Sequence, residues 1–407
     1  MVMKNEYDNK ASEQSEMHVI KDLEEIEAIR HTWERLHAEE SYPRINADID
    51  RYLTALKASD RAIEPYIIVL NEDERPATML IGMVDKYSIK CTIGRMTLFK
   101  PELRRLSIVH GGIIGKQTEQ ISRLLVGELM KELYGGQVDV VYFNYLDTRS
   151  PIYQVTRKMP GLLSRYHLPK IEVHWRLTLP KDVNTFYKSL SGKHASNLRR
   201  LITKLEKAYP NKVEVVRYRH PAELDTAMKA ASEISATTYQ YAYGLGIVDD
   251  YQTRTILSQA ARLGRLQIDI LYIDGEPAAF QLAMKYRDTY FGDKIGFNPK
   301  WEKFRIGTVL FLKVTEALCA DPLVKYYDFG VGDTQYKRSY CDMKWTEGHV
   351  YIFAPCIFPV FVNLILSATS AISALTDKFV TKLGIRNPVQ RYRHKKILEK
   401  GKRNRKS

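Results

Sequence analysis

Cysteine is scarce in this 407-residue chain, and the few present do not group. Cys91, Cys319, Cys341 and Cys356 show neither disulfide-framework nor metal-ligand spacing, which excludes a disulfide scaffold and fits a reducing cytosol. The ten histidines form no HExxH pair and no mixed Cys/His cluster, so no metal is expected. A GxSxG elbow, a P-loop and a dinucleotide fingerprint are also missing, which sets aside the commonest hydrolase, NTPase and dehydrogenase chemistries. The start, MVMKNEYDNKASEQSE, is polar and acid-containing and does not show the basic start and apolar run of a secretory signal. A long uninterrupted apolar run is lacking too. The nearest to one, beginning at Ile357, is broken by Asn363 and then by Ser, Thr, Asp and Lys, too short for a spanning helix. It reads as a helix lying either on a membrane surface or on the protein itself.

Positive charge is plentiful. Lys and Arg number 62 against 48 Asp and Glu, a net +14, and ten of those bases fall in the last 22 residues against one Glu. Such a tail suits nucleic acid, anionic lipid or an acidic polymer. The length favours two domains over one.

Periodicity gives an α/β order that occurs twice. Residues 1–17 read as disordered, and a helix is expected from about Asp22 to Ala38. PYIIVL and ATMLIGMV then form a hairpin across NEDERP, and LSIVH leads into the glycine-rich HGGIIGK. A helix carrying Ile121, Leu125, Leu129 and Leu133 follows, then the buried strand VDVVYF. IEVHWRLTL alternates as a half-buried strand. After it comes a helix over about His194–Tyr209, whose apolar face leaves Lys193, Arg199, Arg200, Lys204 and Lys207 for solvent or an anion. VEVVRY, two helices, and LQIDILYI joined to PAAFQLAMKY by Asp274-Gly275 come next, and an Asp-Gly between such runs signals a hairpin. TYFGDKIGF, a helix over about Gly307–Ala320 and the strand KYYDFG complete the second round.

The densest polar chemistry lies in YYDFGVGDTQYKRSY, Tyr326–Tyr340. A short apolar strand breaks at Gly330 and Gly332, and Asp328, Asp333, Tyr336 and Lys337 fall within ten residues. Two acids, a phenol and an amine supply acceptors, donors and a proton relay. This segment resembles the DFG-x-GD-x-x-YK signature of the CelD-like acetyltransferase domain, a branch of the GNAT superfamily. The resemblance extends more loosely over about residues 18–353. SLSGKHASNLRRLITKLEK is similar to the basic helix of the same family, which makes Arg199 and Arg200 substrate-binding candidates.

The resemblance implies tandem GNAT-like domains of mixed sheets flanked by helices. Residues 18–170 would form a degenerate N-terminal half, 171–354 the acetyltransferase half, and 355–407 an amphipathic helix with a basic tail. It implies an acyl-CoA whose pyrophosphate rests on the helix N-terminus at Lys303, Arg305, Ile306, Gly307 and Thr308, where orphan amides meet phosphate. The usual R/Q-x-x-G-x-G/A loop is reduced here to Arg305 and Gly307. Asp328 and Asp333 are the candidate proton acceptors. Tyr336 is the donor to an oxyanion or leaving thiolate, and Lys337 binds an anion or keeps Asp333 ionised. Tyr239 and Tyr241 either line an acceptor groove or pack on the core.

The function so implied is transfer of an acetyl or other acyl group to a sugar-linked amine or hydroxyl in exopolysaccharide or cell-envelope biosynthesis. The enzyme would be cytoplasmic, peripheral to the inner face of a membrane. Two alternatives stand beside it. One is a Fem-like transferase using aminoacyl-tRNA, for which the basic tail and helix would neutralise phosphates. The other is a non-catalytic GNAT scaffold of a polysaccharide-synthase complex.

Overall fold

A computed structural model describes residues 15–94, 96–238 and 246–382. In chain order, strand β1 (Ser15–Ile20) precedes helices α1 (Leu23–Ala28), α2 (Arg30–Glu39) and α3 (Ile49–Ala58). Strands β2 (Glu64–Glu72), β3 (Arg75–Ser88), β4 (Cys91–Ile93), β5 (Met96–Phe99) and β6 (Glu102–Gly115) follow, then α4 (Glu119–Tyr134), β7 (Val140–Asp147) and α5 (Pro151–Lys158). The second round holds β8 (Ile171–Thr178), α6 (Val183–Ser189), α7 (Gly192–Ala208), β9 (Val213–Tyr218), α8 (Leu224–Thr237) and α9 (Tyr251–Arg262). It continues with β10 (Leu266–Ile273), β11 (Glu276–Tyr286), β12 (Thr289–Phe297), α10 (Ile306–Cys319), β13 (Tyr326–Val331) and α11 (Gln335–Tyr340). Strand β14 (Met343–Phe353) and helix α12 (Ile357–Lys382) close the described chain.

The chain divides into two compact units. Unit 1 comprises residues up to Glu172 together with Thr346–Lys382, and unit 2 comprises Val173–Trp345. The sheet order in unit 1 is β1-β2-β3-β6-β7-β14, and in unit 2 it is β9-β10-β11-β12-β13-β8. In both, the fourth and fifth strands form the one parallel pair, β6 with β7 and β12 with β13, and the other pairings are antiparallel. A parallel pair needs a crossover, and α4 and α10 supply it. This is a tandem GNAT-like α/β fold of mixed sheets flanked by helices.

Both halves turn their long hairpin at the same kind of corner. Asp274 and Gly275 have φ of 53° and 76°, and Asp73 and Glu74 have φ of 49° and 61°. Two consecutive left-handed residues match the right-handed twist of the flanking strands. Side chains cap several of the helices. Asp22, Asp182 and Asp250 accept from backbone amides of α1, α6 and α9, and Thr118 does so for α4.

Several expectations need correction. The first helix is two, broken at Ile29 (φ −93°, ψ 8°), a bend that buries Ile26 along with Trp33. Ser15–Met17 belong to a strand, with Ser15 paired to Glu72 and Met17 to Leu70, while residues 1–14 lie outside the described residues. HGGIIGK does not leave the sheet: Gly111 and Gly112 sit inside β6. A Cβ on Gly111 would lie 2.3 Å from Arg44 Cγ, and one on Gly112 would lie 2.8 Å from the Ile81 carbonyl oxygen. Close approach requires both glycines, and Gly111 also holds a left-handed φ of 76° where the pairing of β6 with β3 shifts register.

Unit 1 holds a buried polar cluster on β6, β7 and β14. Glu347, 2 % exposed, ion-pairs with Arg44 and lies 3.1 Å from His110 Nε2. The Tyr145 hydroxyl donates to Glu172 at 2.6 Å, and the Tyr145 ring lies 3.9 Å from that of His349. Burial first, then the Arg44 charge, lowers the His110 pKa against the pull of Glu347. Burial likewise lowers that of His349, with Glu172 opposing and Lys170 and His110 assisting. Both imidazoles are thus held below the ordinary 6.5. The unfolded chain takes up these protons first, so their contribution is complete above the unfolded pKa and is lost as pH falls below it. The melting temperature should therefore drop between about pH 7 and about pH 5.5. A His110→Gln variant should show a shallower drop by circular dichroism, and an unchanged slope would remove His110 from the cause.

Candidate active site

Strands β12 and β13 hold together only over Thr289–Phe291 against Tyr326–Asp328. Beyond that register β12 stays with β11, while β13 shifts register at Asp328/Gly330 along β8. On the β12 side, over β11, β12 and the start of α10, lies a cavity of about 310 Å³, at the lower end of the range for small-molecule sites. Phe280, Gln281, Ile295, Gly296 and Phe297 line it from the sheet, and Arg305, Gly307, Thr308, Leu310 and Phe311 from the start of α10. Glu302 and Tyr336 complete the lining.

Gly296 lets the Phe280 ring pack directly on β12, since a Cβ there would lie 2.5 Å from that ring. At the helix end, Arg305 adopts φ 52° and ψ 45°, a left-handed conformation that a side chain enters at a cost of about 1–2 kcal/mol. No side chain caps α10. Its first turn therefore offers amides and the positive end of the helix dipole to the cavity. Lys204 and Lys303 lie over the Phe304 ring at 5.6 and 5.0 Å, and Lys204 reaches the Lys303 carbonyl. That side of the helix start is basic, as an anionic ligand would require.

A buried polar chain runs beneath. Gln281 Nε2 donates to the Tyr290 hydroxyl at 3.0 Å and to that of Tyr327 at 2.6 Å. Tyr290 donates to Asp269, which also accepts from Gln267 and from Arg217 Nε. Tyr336 packs on Phe311 and Tyr340 with ring centroids at 5.3 and 5.4 Å. Burial, and after it the neighbouring Tyr327 hydroxyl, pushes the Tyr336 pKa well above the phenol range, so its proton stays on.

The polar loop after β13 separates its four residues. Tyr336 alone of them lines the cavity. Asp328 is buried, with its two oxygens 2.8 and 2.9 Å from His174 Nε2 and one accepting from the Gly330 amide at 2.6 Å. His174 stacks on Trp345 at 4.3 Å. Lys337 Nζ donates to the carbonyls of Gly330 and Val331 at 3.0 and 2.7 Å and so ties the loop. Asp333 is exposed and pairs with Arg338 at 2.7 and 2.9 Å.

Of the five cofactor candidates, Arg305, Gly307 and Thr308 line the cavity, Ile306 is buried in the core, and Lys303 lies over Phe304. Arg199 lies on α7 with its guanidinium 4.7 Å from the Tyr187 ring, and Arg200 is exposed on the same helix. Tyr239 and Tyr241 lie outside the described residues. Sequence reasoning missed Gln281, Asp269 and His174. A lone Gln inside the apolar run AAFQLAMKY and a lone Asp inside LQIDILYI were the available signals, because buried polar groups must find partners.

Residues 192–338 match the family model of the acetyltransferase (GNAT) domain. No curated protein matches the sequence. Among solved structures, FemX resembles the chain with a TM-score of 0.54 at 8% identity, over 83% of this chain and 97% of that one. A tandem GNAT protein from the clavulanic acid biosynthesis pathway gives 0.51 at 12% identity, over 84% and 99%. At such identities the likeness concerns the fold.

Proposed function

We propose that this protein is a CelD-like GNAT acyltransferase that takes an acetyl or other acyl group from acyl-CoA. The acceptor is a sugar-linked amine or hydroxyl in exopolysaccharide or cell-envelope biosynthesis. One observation carries this most: the cavity over β11 and β12 is bounded by an uncapped helix start and lined by a protonated tyrosine. The first turn of α10 would receive the pyrophosphate, with Arg305 beside it. The acceptor's nucleophilic nitrogen or oxygen attacks the thioester carbonyl, the carbon–sulfur bond breaks, and Tyr336 protonates the leaving thiolate. The proton lost by the acceptor goes to water. Gln281, held by Tyr290 and Tyr327, keeps the cavity wall in one geometry. Sugar-linked acceptors carried on lipid would suit an enzyme at the cytoplasmic face of a membrane, and we assign it that location.

Thermal shift tests the assignment, because a ligand that prefers the native state raises its stability. Acetyl-CoA or a longer acyl-CoA should raise the melting temperature saturably, and Arg305→Ala should shrink that rise. A shift from aminoacyl-tRNA with none from acyl-CoA would favour the Fem-like alternative. No shift from either would favour the scaffold.

A further inference from the structure

Helix α12 packs Val362, Ile365 and Leu366 on unit 1 and turns several of its polar residues the same way. Asn363 Nδ2 donates to the carbonyls of Leu163 and Arg165 at 2.8 and 3.0 Å. Ser370 accepts from the Tyr166 hydroxyl at 2.7 Å, and Ser373 donates to the Thr92 carbonyl at 3.1 Å. The outward face carries Ile357, Phe361, Leu364, Ala368, Ile372 and Leu375, all exposed. They follow one another at intervals of three or four residues, which is a single stripe on a helix. Ile357 is 92% and Leu375 66% exposed. Between Ile357 and Thr376 there is no charged residue.

The patch extends beyond the helix. Phe99 of β5 meets Phe361 edge-on at 6.1 Å, and Met96 and Leu98 on the same strand are exposed, Met96 by 63%. Leu162, 68% exposed, adjoins Leu163, whose carbonyl Asn363 binds. A helix resting on a body in water turns its serines and asparagines outward. This one spends them on the body and offers a contiguous apolar surface, which marks a contact with something apolar.

We infer that this surface of unit 1 lies on an anionic bilayer, with the α12 stripe, the β5 edge and Leu162 at the level of the lipid headgroups. Charge decides the occupant. The 22 residues from Arg386 onward carry ten Lys or Arg against one Glu. A second copy docked through the stripe would bring two such segments together, whereas an anionic surface attracts them. By length and composition Ile357–Thr376 could cross a membrane, but its polar side is hydrogen-bonded to unit 1, and a helix held that way lies along the surface. The inference rests on the membrane location assigned above and adds the surface and orientation by which it is reached.

The test uses the full chain, sedimented with phosphatidylcholine vesicles with and without phosphatidylglycerol, at low and moderate salt. The full chain should bind the anionic vesicles and keep a fraction bound when salt screens the tail. A Phe361→Glu/Leu364→Glu variant, changed only at exposed positions, should melt like the parent and lose about tenfold or more of the salt-resistant binding. No binding by the parent would remove the location itself. Parent and variant bound alike, and both stripped by salt, would leave the location standing on the tail and overturn the docking surface. A parent dimer that the variant splits, without vesicle binding, would give the stripe to a second copy.

Discussion

Gly307→Leu should abolish measurable acyl-CoA binding, a loss of at least ~100-fold by calorimetry, or about 2.7 kcal/mol. The residue is in the first turn of α10 and lines the cavity. A Cβ there would meet only the Phe297 ring at 3.4 Å, ordinary contact. Alanine therefore fits, and replacing a helical glycine by alanine gains up to about 1 kcal/mol. Leucine adds three further carbons beside a space of about 310 Å³, through which a pantetheine arm and pyrophosphate would pass on the proposed function. Gly307→Ala with near-normal affinity, beside Gly307→Leu with none, separates blockage from unfolding. Equal affinities in the two variants would move the cofactor away from α10. The glycine pair of unit 1 offers no refuge, because Arg44 and the Ile81 carbonyl already fill the space above Gly111 and Gly112.

Most of the architecture was legible because it depends on local signals. The Asp274-Gly275 corner and the alternation in IEVHWRLTL each name an element without reference to the rest of the chain. Strand β14 was not legible as a partner of β7, since its pairing joins residues some 200 positions apart and no local pattern encodes that. The roles within Tyr326–Tyr340 were hidden for a different reason. Spacing showed a dense group, but Thr334 caps a short helix there, and successive residues on a helix point about 100° apart. Asp333 lies ahead of that cap and pairs with Arg338 at the surface, while Tyr336, on the helix itself, lines the cavity. Helix α12 makes the same point at larger scale. Asn363 was visible as an interruption, but only the carbonyls of Leu163 and Arg165 reveal which way it turns.

Tyr336→Phe should lower kcat by about 10²–10³-fold, within the usual range for removing a general acid or base. The Michaelis constant for acyl-CoA should scarcely move. The ring would stay between Phe311 and Tyr340, so the substitution deletes a hydroxyl and little packing. Stability should fall by about 1 kcal/mol, the worth of one buried hydrogen bond. The pH profile gives a second check. Because the Tyr336 pKa is raised well above 10.0, its protonated form persists as pH climbs through the ordinary phenol range, and the rate should not fall there on its account. Asp333→Asn supplies the contrast, since an exposed pair with Arg338 is worth about 0–1 kcal/mol and lies outside the cavity lining. That variant should keep kcat within about threefold of the parent. Steady-state kinetics on the two variants decides the matter: an active Tyr336→Phe beside an inactive Asp333→Asn would transfer the chemistry to the outer side of the loop and leave the cavity as a binding site only.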